Sequence, residues 1–296
     1  MNLLSKISLG TVQFGLDYGI ANGRGKVDKA EVFKIIELAN SKKVEFLDTA
    51  HSYGESEKVL GQVIEKESLS FKIVSKMPAI GNNFSGQVEK VFLESLSDLK
   101  MDSLYGYLIH KFEDYLLNKG LWEQMKGLKD KRMVKKIGFS LYNPEELETL
   151  LSNGVRFDII QMPYSIFDRR FAGYFKTLKS KGVEIHVRSV FLQGLAFLDP
   201  QNLHGNLDKA KECLLLLRSI AAENDVSINS ICLNFALLNP FVDKVVIGID
   251  GIGHLKDNLR DISLAEKINS MIDKLDSLSI DDEDVILPYK WTGAKR

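Results

Sequence analysis

Short apolar runs alternate along the chain with longer stretches whose apolar residues recur every three to four positions. The runs at residues 7–9, 45–48, 71–75, 103–109, 136–139, 157–161, 184–187 and 244–247 read as strands. They are apolar on consecutive positions, as strands covered on both faces must be. Between them, Val88, Val91, Phe92, Leu96 and Leu99 fall on one helical face. Asp28 with Glu31 predicts a capping box ahead of Val32, Ile35, Ile36 and Ala39. Asn143 followed by Pro144, Glu145 and Glu146 predicts another helix start, because the helix dipole favours acids in the first turn. Ser227 opens a helix that Pro240 follows, and two further helical stretches close the chain.

Eight strand–helix units joined by right-handed crossovers close naturally into a (β/α)8 TIM barrel, an α/β fold. An open doubly wound sheet is the competitor, and no Gly-x-Gly-x-x-Gly follows the first strand to support it. No low-complexity linker interrupts the pattern, so residues 1–296 are expected to form one domain.

Composition narrows the picture. Apolar residues make up 45% and charged residues 27%, the proportions of a globular protein in water. Basic and acidic residues number 39 and 40, which leaves no broad electrostatic footprint for nucleic acid. Cys213 and Cys232 form neither a disulfide framework nor a zinc pattern. The longest apolar stretches fall far short of the roughly 18 residues a membrane span needs. The first ten residues do not read as a signal peptide. A cytoplasmic location is expected, with a small-molecule partner rather than nucleic acid or membrane.

Barrel enzymes carry their chemistry at the carboxyl ends of strands. Read in order, those ends supply Asp48 and Tyr53 after the second strand, Lys76 on the third and His110 on the fourth. A free phenol has a pKa of about 10, too high for easy proton donation at neutral pH. A neighbouring ammonium favours the phenolate, so Lys76 is expected to lower the Tyr53 pKa, with Asp48 holding Lys76 in place. Tyr53 then serves as general acid towards a carbonyl oxygen, and His110 orients that oxygen. The set needs no metal. The polar residues Gln13, Asp17, Tyr18 and His51, with Trp291 as a lid, suggest a sugar-like carbonyl. The glycine-rich stretch 15–25 lacks the Gly-Lys-Ser/Thr of a phosphate loop and reads as a turn or substrate loop.

These residues resemble the aldo-keto reductases. The resemblance runs through Leu9-Gly10-Thr11, Asp48-Thr49-Ala50-x-x-Tyr53-Gly54, Ser75-Lys76, His110, Gly138-x-Ser140, Gln161-x-x-Tyr164 and His254-Leu255-x-x-Asn258. It implies a nicotinamide cofactor, NADP or NAD, extended across the barrel top, and the tetrad Asp48, Tyr53, Lys76, His110. It also implies cofactor contacts from Thr11, Ser140, Gln161, Arg188, Ser189, Gly194, Gly248, His254 and Asn258. Three positions depart from the family pattern. Leu141 stands where Asn is common, and Arg188 where an aromatic ring usually stacks on the nicotinamide. Gly248 and His254 replace the basic residues that usually grip the 2′-phosphate of NADP. Two other functions fit parts of the sequence: a catalytically idle cofactor-binding subunit, and a metal-dependent barrel isomerase or hydrolase using Asp48, His110 and His186.

Overall fold

The computed structural model describes residues 2–80, 87–118 and 120–291. Eight parallel strands close into a barrel in sequence order: β1 (Ile7–Gly10), β2 (Phe46–Asp48), β3 (Lys72–Met77), β4 (Leu104–Ile109), β5 (Val134–Ser140), β6 (Ile159–Pro163), β7 (Glu184–Arg188) and β8 (Lys244–Gly248). Closure is made by β8 pairing with β1, with Gly10 opposite Gly248. This is the (β/α)8 architecture expected from the alternating pattern.

Two apolar clusters follow from strands buried on both faces. The larger lies between strands and helices and includes Ile35, Ile36, Val88 and Phe92, the residues whose spacing predicted the helix faces. The smaller one, Phe46, Val74, Leu108 and Ile159, fills the barrel itself. Gly138 of β5 shows how tightly adjacent strands meet, because a Cβ there would lie 1.8 Å from the Ile159 carbonyl oxygen. Only glycine fits, and the close approach aligns Ser140 opposite Gln161 at the barrel rim.

One predicted cap is rearranged. The Asp28 carboxylate accepts from the Glu31 amide at 2.9 Å as expected. The Glu31 carboxylate does not return to the start of its own helix; it accepts the Ile252 amide at 2.9 Å. Ile252 opens the helix Ile252–Asp261 after β8, whose first turn has amide donors without partners of its own. Glu31 thus pins that helix, which flanks the cavity described next.

Candidate active site

A cavity of about 800 Å³ opens where the carboxyl ends of the strands converge. Asp48, Tyr53 and His110 line it, and so do all nine residues expected to contact a cofactor. Lys76 lies just beneath, with 1% of its surface exposed.

Asp48 is the anchor. Its carboxylate accepts from Lys76 Nζ at 2.5 Å and from Gln161 Nε2 at 2.6 Å. Its carbonyl accepts from the Thr11 hydroxyl, which also meets the Ser56 hydroxyl at 2.8 Å. Lys76 donates a second bond to the Thr49 carbonyl at 2.9 Å. A buried charge pair needs further hydrogen bonds to be tolerated, and here Gln161 of β6 and the Thr49 carbonyl after β2 supply them. Thr11 therefore spends its hydroxyl on the Asp48 loop.

Tyr53 sits over this pair, with Lys76 Nζ 5.2 Å from its ring centroid. Burial and then the Asp48 charge push its pKa above the ordinary value, and Arg188 opposes them. This corrects the expectation that Lys76 would lower it. Desolvation of the buried phenol is the largest cause, and the Asp48 carboxylate, 2.5 Å from Lys76, adds to it. The phenol is consequently held protonated. Lys76 itself is pushed down by burial, with Asp48 acting against that shift.

His110 faces Tyr53 edge-on, with ring centroids 5.9 Å apart. Its Nδ1 meets the Ser52 hydroxyl at 3.2 Å, which leaves Nε2 to the cavity. Burial, then Lys76 and Arg188, press its pKa down to about 3. The imidazole is neutral at physiological pH. The folded state thus binds this proton less readily than the unfolded state. Stability from this group is present above pH 6.5 and is lost as pH falls towards about 3.

Further along the cavity, Asn258 is 4% exposed and its Oδ1 has no hydrogen-bond partner among the described residues. Gly194 adopts φ +98° and approaches Ala21 so closely that a Cβ would clash at 2.5 Å. Ser189, Leu192 and Gln193 in the same loop also take positive φ, a strained backbone of the kind stored at ligand sites. This loop clasps the glycine-rich one. Ile20 donates its amide to the Gln193 carbonyl, and Gln193 Nε2 donates to the Tyr18 hydroxyl at 2.6 Å. The stretch 15–25 is thus an ordered wall of the cavity, stitched internally by Asn22.

Several expectations for the mouth change. Gln13 and Tyr18 line the cavity, but Asp17 and His51 do not. His51 turns instead towards Ser95 and Glu57. Trp291 is no lid: it is 5% exposed, and its indole donates to the Val285 carbonyl at 2.7 Å. His186 is fully buried and engages Glu184 at 2.7 Å, away from His110. Among the described residues no group of three or more His, Cys, Asp or Glu is arranged to hold a metal ion. Tyr142, Lys111 and Gln193 also line the cavity and were not read from the sequence. The signal available for Tyr142 was an aromatic residue just past a strand's carboxyl end.

The profile of the aldo/keto reductase family matches residues 6–280. The chain belongs to that family. Aldo/keto reductases are NAD(P)-dependent oxidoreductases acting on carbonyl compounds, and that reaction class applies here. An uncharacterized oxidoreductase, YqkF of Bacillus subtilis, is 23% identical over 284 residues, spanning 87% of each chain. The chloroplastic pyridoxal reductase of Arabidopsis thaliana is 26% identical over 259 residues, covering 75% of this chain and 70% of that protein. The holo form of the aldo-keto reductase AKR11C1 from Bacillus halodurans shares the fold, with a TM-score of 0.74, 21% identity and 95% of both chains covered. Among the described residues of this aldo/keto reductase no helix is long and apolar enough to cross a membrane.

Proposed function

We propose that the protein reduces a small, polar aldehyde or ketone to an alcohol, with Tyr53 as general acid. The observation that carries this reading is the buried Lys76–Asp48 pair beneath a phenol that faces the cavity beside His110. When a nicotinamide cofactor is bound it supplies the hydride. The residues of this chain do the rest. Tyr53 gives its proton to the carbonyl oxygen as negative charge develops there. His110 offers Nε2 to the same oxygen, and its neutral state makes it a fixed hydrogen-bonding group rather than a competing acid. Asp48 and Lys76 hold the phenol in place. Gln13, Tyr18 and Gln193 give the mouth a polar lining suited to a hydroxylated, sugar-like carbonyl.

The remaining cavity fits a nicotinamide dinucleotide. Ser140 and Gln161, opposite each other at the β5–β6 rim, would hold the carboxamide, and Arg188, Ser189 and Gly194, which line the same cavity, would border the ring and pyrophosphate. The unpartnered Asn258 Oδ1 suits an adenine amino group, and Thr11 supports the floor. Gly248 and His254 flank the far end.

Two predictions test this reading. The raised Tyr53 pKa and the His110 pKa of about 3 imply a reduction rate that varies little from about pH 5 to 9, because the general acid and the oriented imidazole hold their forms across that range. A kcat/KM profile with a limb near pH 6.5 would contradict it. Cofactor choice is also expected to lack a strong NADPH bias. His254 is paired with Asp250, and Arg260 with Asp257 at 3.0 Å and Asp261 at 3.3 Å, so the two basic side chains that line that end already have acidic partners. A free charge-assisted bond to a 2′-phosphate is worth about 1.5–3 kcal/mol. Kd values for NADPH and NADH by fluorescence quenching should differ by less than about tenfold; a hundredfold preference for NADPH would refute this.

A further inference from the structure

Arg188 is held in place at the rim of the cavity. It ends β7 and lines the same cavity as Tyr53 and His110. Its guanidinium donates to the Leu141 carbonyl at 2.9 Å and to the Ser189 hydroxyl at 3.2 Å, and its plane lies 4.1 Å over the Tyr142 ring. Tyr142 is itself gripped at both backbone groups. Its amide donates to the Glu146 carboxylate at 2.7 Å, and its carbonyl accepts from Arg170 at 3.1 Å. Arg170 is fixed in turn by the buried Asp168, at 2.9 and 3.0 Å. A flexible side chain is thereby held in one geometry before any ligand arrives.

What that geometry lacks is a direct ion pair, although the Glu146 carboxyl is near enough to feel the Arg188 charge. Arg169, Arg170 and Arg260 each pair with an aspartate. Arg188 pairs with no carboxylate among the described residues, and two of its five donors are spent on neutral oxygens. The acids that line the cavity are committed elsewhere: Asp48 to Lys76 and Gln161, Asp250 to His254, Asp257 to Arg260, and Asp261 to Arg260, Ser227 and Asn229. Glu146 holds two backbone amides. The exposed Lys111, next to His110, adds a second cation on the catalytic side. That half of the cavity presents two cations without an ion pair among the described residues, whereas in the β8 half three acids, Asp250, Asp257 and Asp261, face only His254 and Arg260. The Arg188 charge acts on Tyr18, Tyr53 and His110 alike, as expected of a group facing the space those three enclose.

We propose that Arg188, stacked on Tyr142, binds an oxyanion group of the substrate, so that the preferred substrates are aldehydes or ketones carrying a carboxylate or a phosphate. This rests on the reductase reading above. A planar guanidinium fork matches both anions.

The test compares matched pairs at saturating cofactor: 5-oxopentanoate against pentanal, and glyceraldehyde 3-phosphate against glyceraldehyde. The wild type is expected to favour the charged member by about tenfold or more in kcat/KM, carried mainly by KM. Arg188→Gln should erase that preference, and Arg188→Lys should retain part of it. Tyr142→Leu, which leaves the charge but loosens it, should lower the preference to a smaller extent. A preference confined to one pair supports the proposal and assigns the site to that anion. Taking the ratio within each pair cancels any effect of Arg188 on the cofactor. If Arg188→Gln weakens cofactor Kd and slows all four substrates equally, with the ratio unchanged, the proposal is overturned while the reductase reading stands. If folded wild-type protein turns over none of the four, both fall together.

Discussion

Tyr53→Phe is expected to lower kcat for carbonyl reduction by at least about a hundredfold, the lower range for loss of a general acid. The substitution removes one oxygen. The ring remains edge-on to His110 and over Lys76, so packing and fold should persist. Cofactor Kd should change little, because the proton the phenol donates is directed at the substrate. Steady-state kinetics paired with a cofactor titration separate the two effects. Near-wild-type kcat in a folded variant would remove Tyr53 from the role assigned to it.

Lys76→Met should be still more damaging, because it acts on stability and chemistry together. Removing one partner of a buried ion pair leaves the other charged and unpaired, at a cost of about 3–5 kcal/mol. Asp48 would keep only Gln161, and its uncompensated charge would press the Tyr53 pKa higher still. Thermal denaturation should therefore show a large drop in Tm, and kcat should fall by about a hundredfold or more. The double variant Asp48→Asn with Lys76→Met discards both charges and should recover much of the stability without recovering activity. A Lys76→Met protein with normal kcat, or a double variant no more stable than Lys76→Met alone, would show that the pair does not work as described.

How much of this was legible in the sequence differs by level. All eight strands could be read, because a strand buried on both faces leaves a run of apolar residues and a barrel alternates such runs with helices. Their ends could be read only to within one or two residues. β5, for example, begins at Val134, ahead of two lysines that interrupt the apolar run. That Asp48, Tyr53, Lys76 and His110 would meet was legible because each sits at or just after a strand's carboxyl end, where topology alone brings it to the rim. The direction of the Tyr53 pKa shift was not. It depends on how much water the phenol loses and on how close the Asp48 charge lies, and neither has a sequence signature. Glu31 illustrates the same limit: its spacing to Asp28 predicted a local cap, but a neighbouring helix offered a bare amide and took the carboxylate. The support for Arg188 is equally silent in the sequence, since Tyr142 meets it and is held in turn by Glu146 of the helix after β5 and by Arg170 and Asp168 of the loop after β6.

The central claim is that this cavity transfers hydride to a carbonyl with Tyr53 supplying the proton. The most direct measurement follows NADH and NADPH absorbance while wild-type and Tyr53→Phe proteins are offered a panel of small polar aldehydes and ketones. The account predicts carbonyl-dependent oxidation of at least one reduced cofactor by the wild type, with alcohol formed in equal amount, and a rate lower by about a hundredfold or more in the variant. A folded wild type that binds the cofactor tightly and oxidises none of it across the panel would contradict the account and leave a cofactor-binding protein without turnover.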